Sequence, residues 1–322
     1  MIIRKHSENP EISVVMAVRN GVTSLAVTME SVLDQDVSAL ELIVVDDGSE
    51  DGSRDVLAAF QKRDKRVKVL LQKPSGLTAS LRKGCAIAQG AFIARQDCGD
   101  RSLPGRLSKQ ASILRDSPRV GLVSCFTRYV GPEGEFLYLS DGGVPEGGRA
   151  ELRSSTAKGA LSRGPSHHGS VLFRQDAYLA CGGYRDAFVC AQDWDLWLRL
   201  ADNTKFEMVP EVLYEASVSP AGISMARKDE QAAYAALLRP AAEVRSSGAD
   251  EAAWLKERLS AIGFAHPRGS RHPSTGHYFI GSILLKNRNP ACRKYLLRAV
   301  QCEPWSIKNW LKLLQSLCGG FR

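Results

Sequence analysis

The sequence predicts an α/β protein in which a mostly parallel central sheet carries helices on both faces, followed by a C-terminal extension of helices alone. Two observations carry that expectation. In the first hundred residues, short β-branched apolar runs alternate with amphipathic segments, the pattern of strands buried on both faces and joined by crossover helices. Beyond Met225 the strand signals vanish while helical spacing continues, which divides the chain into a domain over residues 1–225 and a helical region over 226–322.

The elements follow in order. Ile12–Val18 (ISVVMAV) and Leu42–Val45 (LIVV) are the first two strands. Between them, Thr23–Gln35 sets Leu25, Met29, Val32 and Leu33 on one helical face, with Thr23 or Ser24 as candidate N-cap. The unit then repeats: helix Asp55–Phe60, strand Val67–Leu71, helix Thr78–Ala88, strand Ala91–Arg95. Gly131–Gly148 is rich in Gly and Pro and reads as a long loop. Apolar order returns at Ser170–Phe173, and a helix is expected over Asp193–Leu200 (DWDLWLRL). Past the boundary, Asp229–Val244 and Asp250–Ile262 have helical spacing.

Composition narrows the class. With 322 residues, 44% of them apolar and 24% charged, the chain can bury a large core without disulfide or metal staples. Collagen-like, disordered and disulfide-scaffold classes are excluded. No window approaches the roughly 18 apolar residues of a membrane-spanning helix. Met1–Pro10 lacks the apolar run of a secretory signal, so a cytoplasmic protein is expected. The eight cysteines include no Cys-x-x-Cys pair, which disfavours a zinc site. Lys and Arg total 43 against 35 Asp and Glu, a net charge of +8. That excess fits nucleic acid, a membrane surface or an anionic substrate alike.

Three acidic clusters follow apolar segments: Asp46 and Asp47, then Asp97 and Asp100, then Asp193 and Asp195. In an open parallel sheet, ligands bind outside the carboxyl ends of the strands, so these acids are expected to share one crevice. Taken singly, each reads as a turn or a helix cap. Clustered carboxylates hold a divalent cation, accept hydrogen bonds from ribose or base, or act as a general base. The chain has neither a Gly-x-x-x-x-Gly-Lys phosphate loop nor a Gly-x-Gly-x-x-Gly after its first strand.

The segments ISVVMAVRNG, SVLDQDVSALELIVVDDGSEDGS, GLTASLRKGCAIAQGAFIARQDCGDRSLPGRLSKQ and HHGSVLFRQDAYLACGGYRDAFVCAQDWDLWLRL together resemble the family 2 glycosyltransferases of the GT-A fold, over roughly residues 11–224. The resemblance implies transfer of a sugar from a nucleotide donor, most readily a UDP-sugar, to an acceptor hydroxyl with inversion at the anomeric carbon, in surface polysaccharide or glycoconjugate synthesis. It puts Asp46 and Asp47 at the nucleotide, Arg82 near the donor phosphates, Asp97 at the first acid of the family's metal motif and Asp193 as the base. His168, Gly183 and Trp194 fall on the acceptor or substrate side. Trp197, by its spacing, is expected in the core.

Three residues depart from the family pattern. Gly99 stands where the second metal-motif Asp usually lies, and Ser219 where His is common, with Ser217 in place of an Arg. Asp97 and Asp100 remain to hold Mn2+ or Mg2+. The departures leave three alternatives: weakened metal binding, cationic side chains such as Arg82, Arg106 or His168 offsetting the diphosphate charge, or a lapsed homologue that binds nucleotide or glycan without transfer. A sugar nucleotidyltransferase would need a basic, glycine-rich loop after the first strand, and AVRNGVTS fits that poorly.

The C-terminal region lies outside this resemblance. Tyr278, Phe279, Gly281, Ala291, Tyr295, Leu296, Ala299 and Pro304 resemble a degenerate tetratricopeptide helix pair, followed by an amphipathic helix over Trp305–Leu317. One such repeat cannot bury its own face and is expected to dock on the first domain, a partner or a second subunit. Between Gly263 and Arg322 there are ten Lys and Arg and a single acid, Glu303. That charge reads either as a solvated face or as peripheral contact with an anionic membrane carrying a lipid-linked acceptor. Its aromatics sit at helical core spacing, so no nucleic-acid partner is expected.

Overall fold

The structure, a computed structural model, describes residues 10–143, 164–220, 222, 228–262 and 274–318. Strands β1 (Ile12–Val18), β2 (Leu40–Asp47), β3 (Val67–Gln72) and β4 (Phe92–Asp97) lie in the order β3-β2-β1-β4, all parallel. Helices α1 (Leu25–Leu33), α2 (Ser53–Arg63) and α3 (Leu77–Ala86) make the crossovers. Alternate strand residues feed opposite faces, as the period of two requires. Val14, Met16, Leu42 and Val44 pack with α1, α2 and α4 (Arg106–Asp116), whereas Val15, Ile43 and Ile93 pack with α3 and α6 (Gln192–Ala201). The helices therefore cover both faces, and β1, β2 and β4 end along one edge.

Beyond β4 the sheet becomes mixed. β8 (Leu172–Arg174) lies antiparallel between β4 and β6 (Val120–Val130), and β6 runs parallel to β9 (Lys205–Ser217). The two-residue β5 (Arg101–Ser102) pairs with β9 at the edge. The register of β9 slips so that Pro210 and Glu211 face no partner, a bulge where proline costs no ladder hydrogen bond.

The stretch expected as a loop over Gly131–Gly148 is corrected in part. Phe136–Ser140 forms β7, a hairpin partner of β6, with Gly134 supplying the positive φ of the turn. Gly and Pro dominate its flanks, and of its own five residues only Leu137 is buried, so the short FLYLS run was masked as a strand. Residues 144–148 of that stretch lie outside the described residues.

The C-terminal helices dock in two places. α7 (Lys228–Ser246) and α8 (Glu251–Ile262) close over α6 and the loop before it, burying Phe188, Leu198, Leu238, Ala241 and Leu255 together. The pair α9 (Ser274–Lys286) and α10 (Cys292–Cys302), with α11 (Ile307–Cys318), packs on the β6–β7 hairpin around Leu137. Polar contacts fix that second junction. Asn287 Nδ2 donates to Leu137 O at 2.6 Å, Tyr295 OH to Glu135 Oε1 at 3.0 Å, and Lys294 pairs with Glu133 and Glu135. A Cβ on Gly276 would stand 2.1 Å from Pro220 O, so only glycine lets α9 lie against the chain leaving β9. The repeat-like pair thus finds the face it needs on the first domain.

Candidate functional site

At the end of β2, Asp46 and Asp47 point to opposite faces and are used differently. Asp46, fully buried, pairs with Arg54 Nε at 2.9 Å and accepts from Ser49 N at 3.2 Å. Asp47 accepts from Gln72 Nε2 (2.8 Å), Ser75 N (2.7 Å) and Gly76 N (2.9 Å), and so ties β2 to the loop that opens α3. Burial alone would raise the Asp47 pKa, but these hydrogen bonds outweigh it and hold the carboxylate below its usual range. A depression of about 360 Å³, lined by Ser49, Arg54, Leu71, Lys73 and Pro74, opens beside Asp46.

Across β1, the end of β4 carries the densest polar cluster. Arg95 is fully buried. It donates from Nη2 to Asp97 Oδ1 at 2.5 Å and from Nη1 to Val15 O and Gln96 O. Burial would raise the Asp97 pKa, yet the Arg95 guanidinium keeps it lowered. Asp100 responds in the opposite sense. Burial first, then the Asp97 charge, push its carboxyl well above the ordinary value, although Ser217 N and Tyr214 OH each donate to it at 2.9 Å. Two acids in such reach favour sharing one proton, or a cation in its place.

His167 completes the cluster. Its Nδ1 lies 3.6 Å from Asp100 Oδ2 and 3.9 Å from Asp97 Oδ2. That nitrogen accepts the Gly169 N–H at 3.0 Å, so it is the unprotonated ring nitrogen, its one lone pair engaged by that amide. Burial lowers the His167 pKa, which keeps the ring neutral as a metal ligand must be. The ligand atoms of Asp97, Asp100 and His167 all lie within 4.8 Å of one another. Two carboxylates and a neutral imidazole are a donor set that fits a divalent cation, which would take the place of the shared proton and of the Gly169 N–H on Nδ1. The departure at Gly99 becomes intelligible here. With φ +101 and its N–H on Thr28 Oγ1 at 3.0 Å, it turns the chain so that Asp100, one residue on, enters the cluster.

An aromatic ladder backs His167. Tyr138 stacks on Tyr129 with centroids 4.4 Å apart, Tyr129 meets the His167 edge at 5.8 Å, and His167 stacks on Tyr214 at 5.3 Å. The ladder begins on the hairpin that the C-terminal helices hold.

Asp193 opens α6. The residue before the helix, Ala191, takes φ 55, an uncommon conformation for a residue with a Cβ. Asp193 accepts its neighbour's N–H, from Trp194, at 2.9 Å. Burial is the main reason its pKa rises to about 6, and the Asp97 charge adds to it. The next acid on the helix is structural. Asp195 binds Arg185 and Arg199, and Arg185 continues to Glu251 at 3.1 Å, which Arg245 also holds at 2.6 Å. This chain of charges fastens α8 to the helix that carries Asp193.

The remaining expected residues lie as follows. Arg82, on α3, pairs with Asp186 in the loop before α6. Arg106 was expected among the donor contacts, but its guanidinium is fully buried. Gln110, Gln96, Ser102, Arg95 O and Gly169 O take its donors, so it ties α4 to β4 and the turn after His167 instead of facing the crevice. His168 is also turned inward. Its Nε2 accepts from Arg95 Nε at 3.4 Å and meets Tyr184 OH at 2.8 Å, and burial drops its pKa to about 3, so it is a neutral prop beneath Asp97. Gly183 lies in the tight turn after α5 (Gln175–Ala180), its N–H on Tyr178 O at 2.9 Å. Trp194 is half-buried and meets Trp197 edge-on at 5.2 Å, while Trp197 is in the core at 1% exposure. Ser219 is exposed, two residues past the backbone N–H that reaches Asp100.

Sequence reasoning missed His167 and Tyr214. His167 is about seventy positions from the acids it joins, and β9, which delivers Tyr214, was not read as a strand although KFEMV alternates charged and apolar residues.

Comparison with known proteins agrees with this layout. Residues 13–177, half of the chain, match the sequence model of glycosyl transferase family 2. The putative glycosyltransferase EpsE of Bacillus subtilis is 33% identical over 202 residues, covering 61% of this chain and 69% of EpsE. The O-antigen biosynthesis glycosyltransferase WbnJ of Escherichia coli is 27% identical, covering 63% and 77%. Among solved structures, the mannosyltransferase PcManGT from Pyrobaculum calidifontis, in complex with GDP-Man and Mn2+, superposes with a TM-score of 0.58 at 18% identity, covering 97% of this chain and 87% of that one. S. aureus TarS 1-349 in complex with UDP-GlcNAc gives 0.56 at 16%, covering 91% and 81%. At such identities the structures speak for the fold alone. Fold and sequence together place this chain in glycosyl transferase family 2, as a glycosyltransferase built on the GT-A sheet.

Proposed function

We propose that the protein is an inverting glycosyltransferase that moves a sugar from a nucleoside-diphosphate donor, a UDP-sugar by preference, to a hydroxyl of a glycan or lipid-linked acceptor in surface polysaccharide assembly. The observation that carries this reading is the pairing of two unlike carboxylate environments at one sheet edge. Asp193 has a pKa near 6, while Asp97 and Asp100 converge with His167 on a cation-sized gap. A carboxylate titrating near neutrality suits a general base. Asp193 takes the proton of the acceptor hydroxyl, that oxygen forms a bond to the anomeric carbon, and the bond to the departing nucleoside diphosphate breaks on the opposite face. Mn2+ or Mg2+ held by Asp97, Asp100 and His167 would supply positive charge against the diphosphate. Asp46 and Asp47 fix the loops that frame the base and ribose, and Arg82 flanks the crevice from α3.

The donor class is supported by the neighbours that bind UDP-GlcNAc and GDP-Man, and the acceptor class by relatives named for O-antigen and teichuronic acid biosynthesis. No helix among the described residues is long and apolar enough to cross a membrane. A cytoplasmic protein that touches the membrane peripherally through residues 226–322 fits a lipid-linked acceptor. The lapsed-homologue alternative rested on Gly99 and Ser219, and the Asp100 and His167 placements weaken that ground.

Thermal shift against a panel of UDP- and GDP-sugars, followed by donor turnover with Mn2+ or with EDTA, tests the proposal. A stabilising donor that is turned over in Mn2+ and not in EDTA is expected. UDP binding without turnover of any donor would establish the lapsed reading instead.

A further inference from the structure

We infer that the outward face of α11 is a lipid-interface surface, matched to an anionic bilayer. The inference rests on the peripheral membrane contact proposed above and gives it a location and a driving force. α11 cannot roll. Asn309, Leu313 and Ser316 are its buried side, with Asn309 Nδ2 on Ala299 O at 3.1 Å and Arg293 Nε on Ser316 O at 3.3 Å. The opposite side is apolar and bare. Ile307 is 75% exposed, Trp310 46%, Leu311 62%, Leu314 51% and Leu317 56%, with Trp305 at 93% just ahead of the first turn. At the helical repeat these residues occupy an arc of roughly 120°, the width of a stripe that normally faces a core. Lys308 and Lys312 border the arc on one side.

Charge identifies the occupant. Residues 263–322 carry ten Lys and Arg, of which Lys294 is paired with Glu133 and Glu135, and one acid, Glu303, which takes a hydrogen bond from Ser274 Oγ at 2.7 Å. A second copy of this chain seated on the stripe would bring like charges together, whereas an anionic headgroup layer attracts them. Each basic side chain near such a surface strengthens partitioning about fivefold. Trp305, at the margin of the apolar stripe, suits the headgroup level, and Trp310 presents its ring there while its Nε1 donates to Pro304 O at 2.8 Å. One short helix plus a basic patch gives reversible association, not permanent anchoring.

The stripe also has a fixed relation to the catalytic edge. α9, packed with α11 in one cluster, lies against the segment leaving β9, and β9 ends on Ser217, whose N–H holds Asp100. A membrane that receives α11 therefore meets a body rigidly joined to the candidate cation site.

The test is flotation of the full chain with vesicles, zwitterionic against roughly one-third phosphatidylglycerol, read together with tryptophan emission. The unaltered chain should bind the anionic vesicles with a blue shift, and added salt should weaken it. The double variant Leu311→Glu, Leu314→Glu should bind about tenfold more weakly or worse, with the melting temperature and its rise on UDP unchanged. Absence of binding by the unaltered chain overturns the inference, as does equal binding by the variant. So does a dimer in solution that the variant abolishes, which would assign the stripe to a second copy. Vesicle binding without sugar transfer would instead sink the proposed activity and leave the surface standing.

Discussion

Replacing Asp193 by Asn should move activity and stability in opposite directions, with magnitudes set by the pKa of that one carboxyl. Burial raises it from 3.8 to about 6. The folded value lies above the unfolded one, so ionised Asp193 costs stability. The penalty is absent below about pH 4, grows as the pH rises to about 6 and is constant beyond, where it reaches about 3 kcal/mol. Asn is nearly isosteric, its Oδ1 still accepts the Trp194 N–H, and it carries no charge to desolvate. Asp193→Asn is therefore expected to melt a few degrees higher than the unaltered chain at pH 7.5 and at nearly the same temperature at pH 4. Transfer should fall by roughly 10² to 10⁴, while UDP affinity holds. For the unaltered chain, kcat/KM should drop tenfold per pH unit below the inflection near 6, and a bound cation beside Asp97 should pull that inflection lower. Thermal melts in EDTA at the two pH values, with transfer rates across the same range, measure all of this. A variant that is less stable at pH 7.5, or that transfers normally, would refute the reasoning. A transfer rate with no acidic inflection above about pH 4, the ordinary carboxylate value, would do the same.

Three other outcomes follow from the geometry. His167→Ala should weaken Mn2+ binding in calorimetry by at least about tenfold, and an unchanged isotherm would remove His167 from the ligand set. Arg95→Met leaves Asp97 without its buried counter-charge and should cost about 3–5 kcal/mol in urea unfolding; a loss under 1 kcal/mol would mean that Asp97 relaxes into solvent. Glu251→Gln cuts the link from α8 to Arg185 and Arg245. It should cost about 2 kcal/mol and lower kcat while donor KM holds, and an unaltered kcat would show that α8 does not position the Asp193 helix.

What could be read in the sequence follows from how each element is buried. β1 and the LIVV run of β2 announce themselves because a strand covered on both faces must be apolar there, and the expected Ile12–Val18 is the observed β1. β7 is five residues set among Gly and Pro, and β9 mixes polar residues and a proline into its apolar run, so both fade into their flanks. The acids at the strand ends were legible because the sheet's topology forces its carboxyl ends together. His167 was not, since nothing local joins it to Asp97. Arg106 misled for a related reason. A cation near a phosphate site and a cation buried as a tie between carbonyls look alike until the fold shows which face of α4 turns inward. Gly99 looked like a lost ligand, and the backbone it permits is what brings in Asp100.

The ladder from Tyr138 through Tyr129 to His167 begins on a hairpin whose other side is gripped by Asn287, Lys294 and Tyr295. The tail thus backs one wall of the candidate site, and deleting it is not a clean experiment. A truncated protein that lost both vesicle binding and transfer would leave the two losses confounded, because the hairpin behind His167 would have lost its support. The same coupling constrains engineering. A chimera that borrows another enzyme's C-terminal helices must borrow Phe136–Ser140 with them, or rebuild the seam between the two.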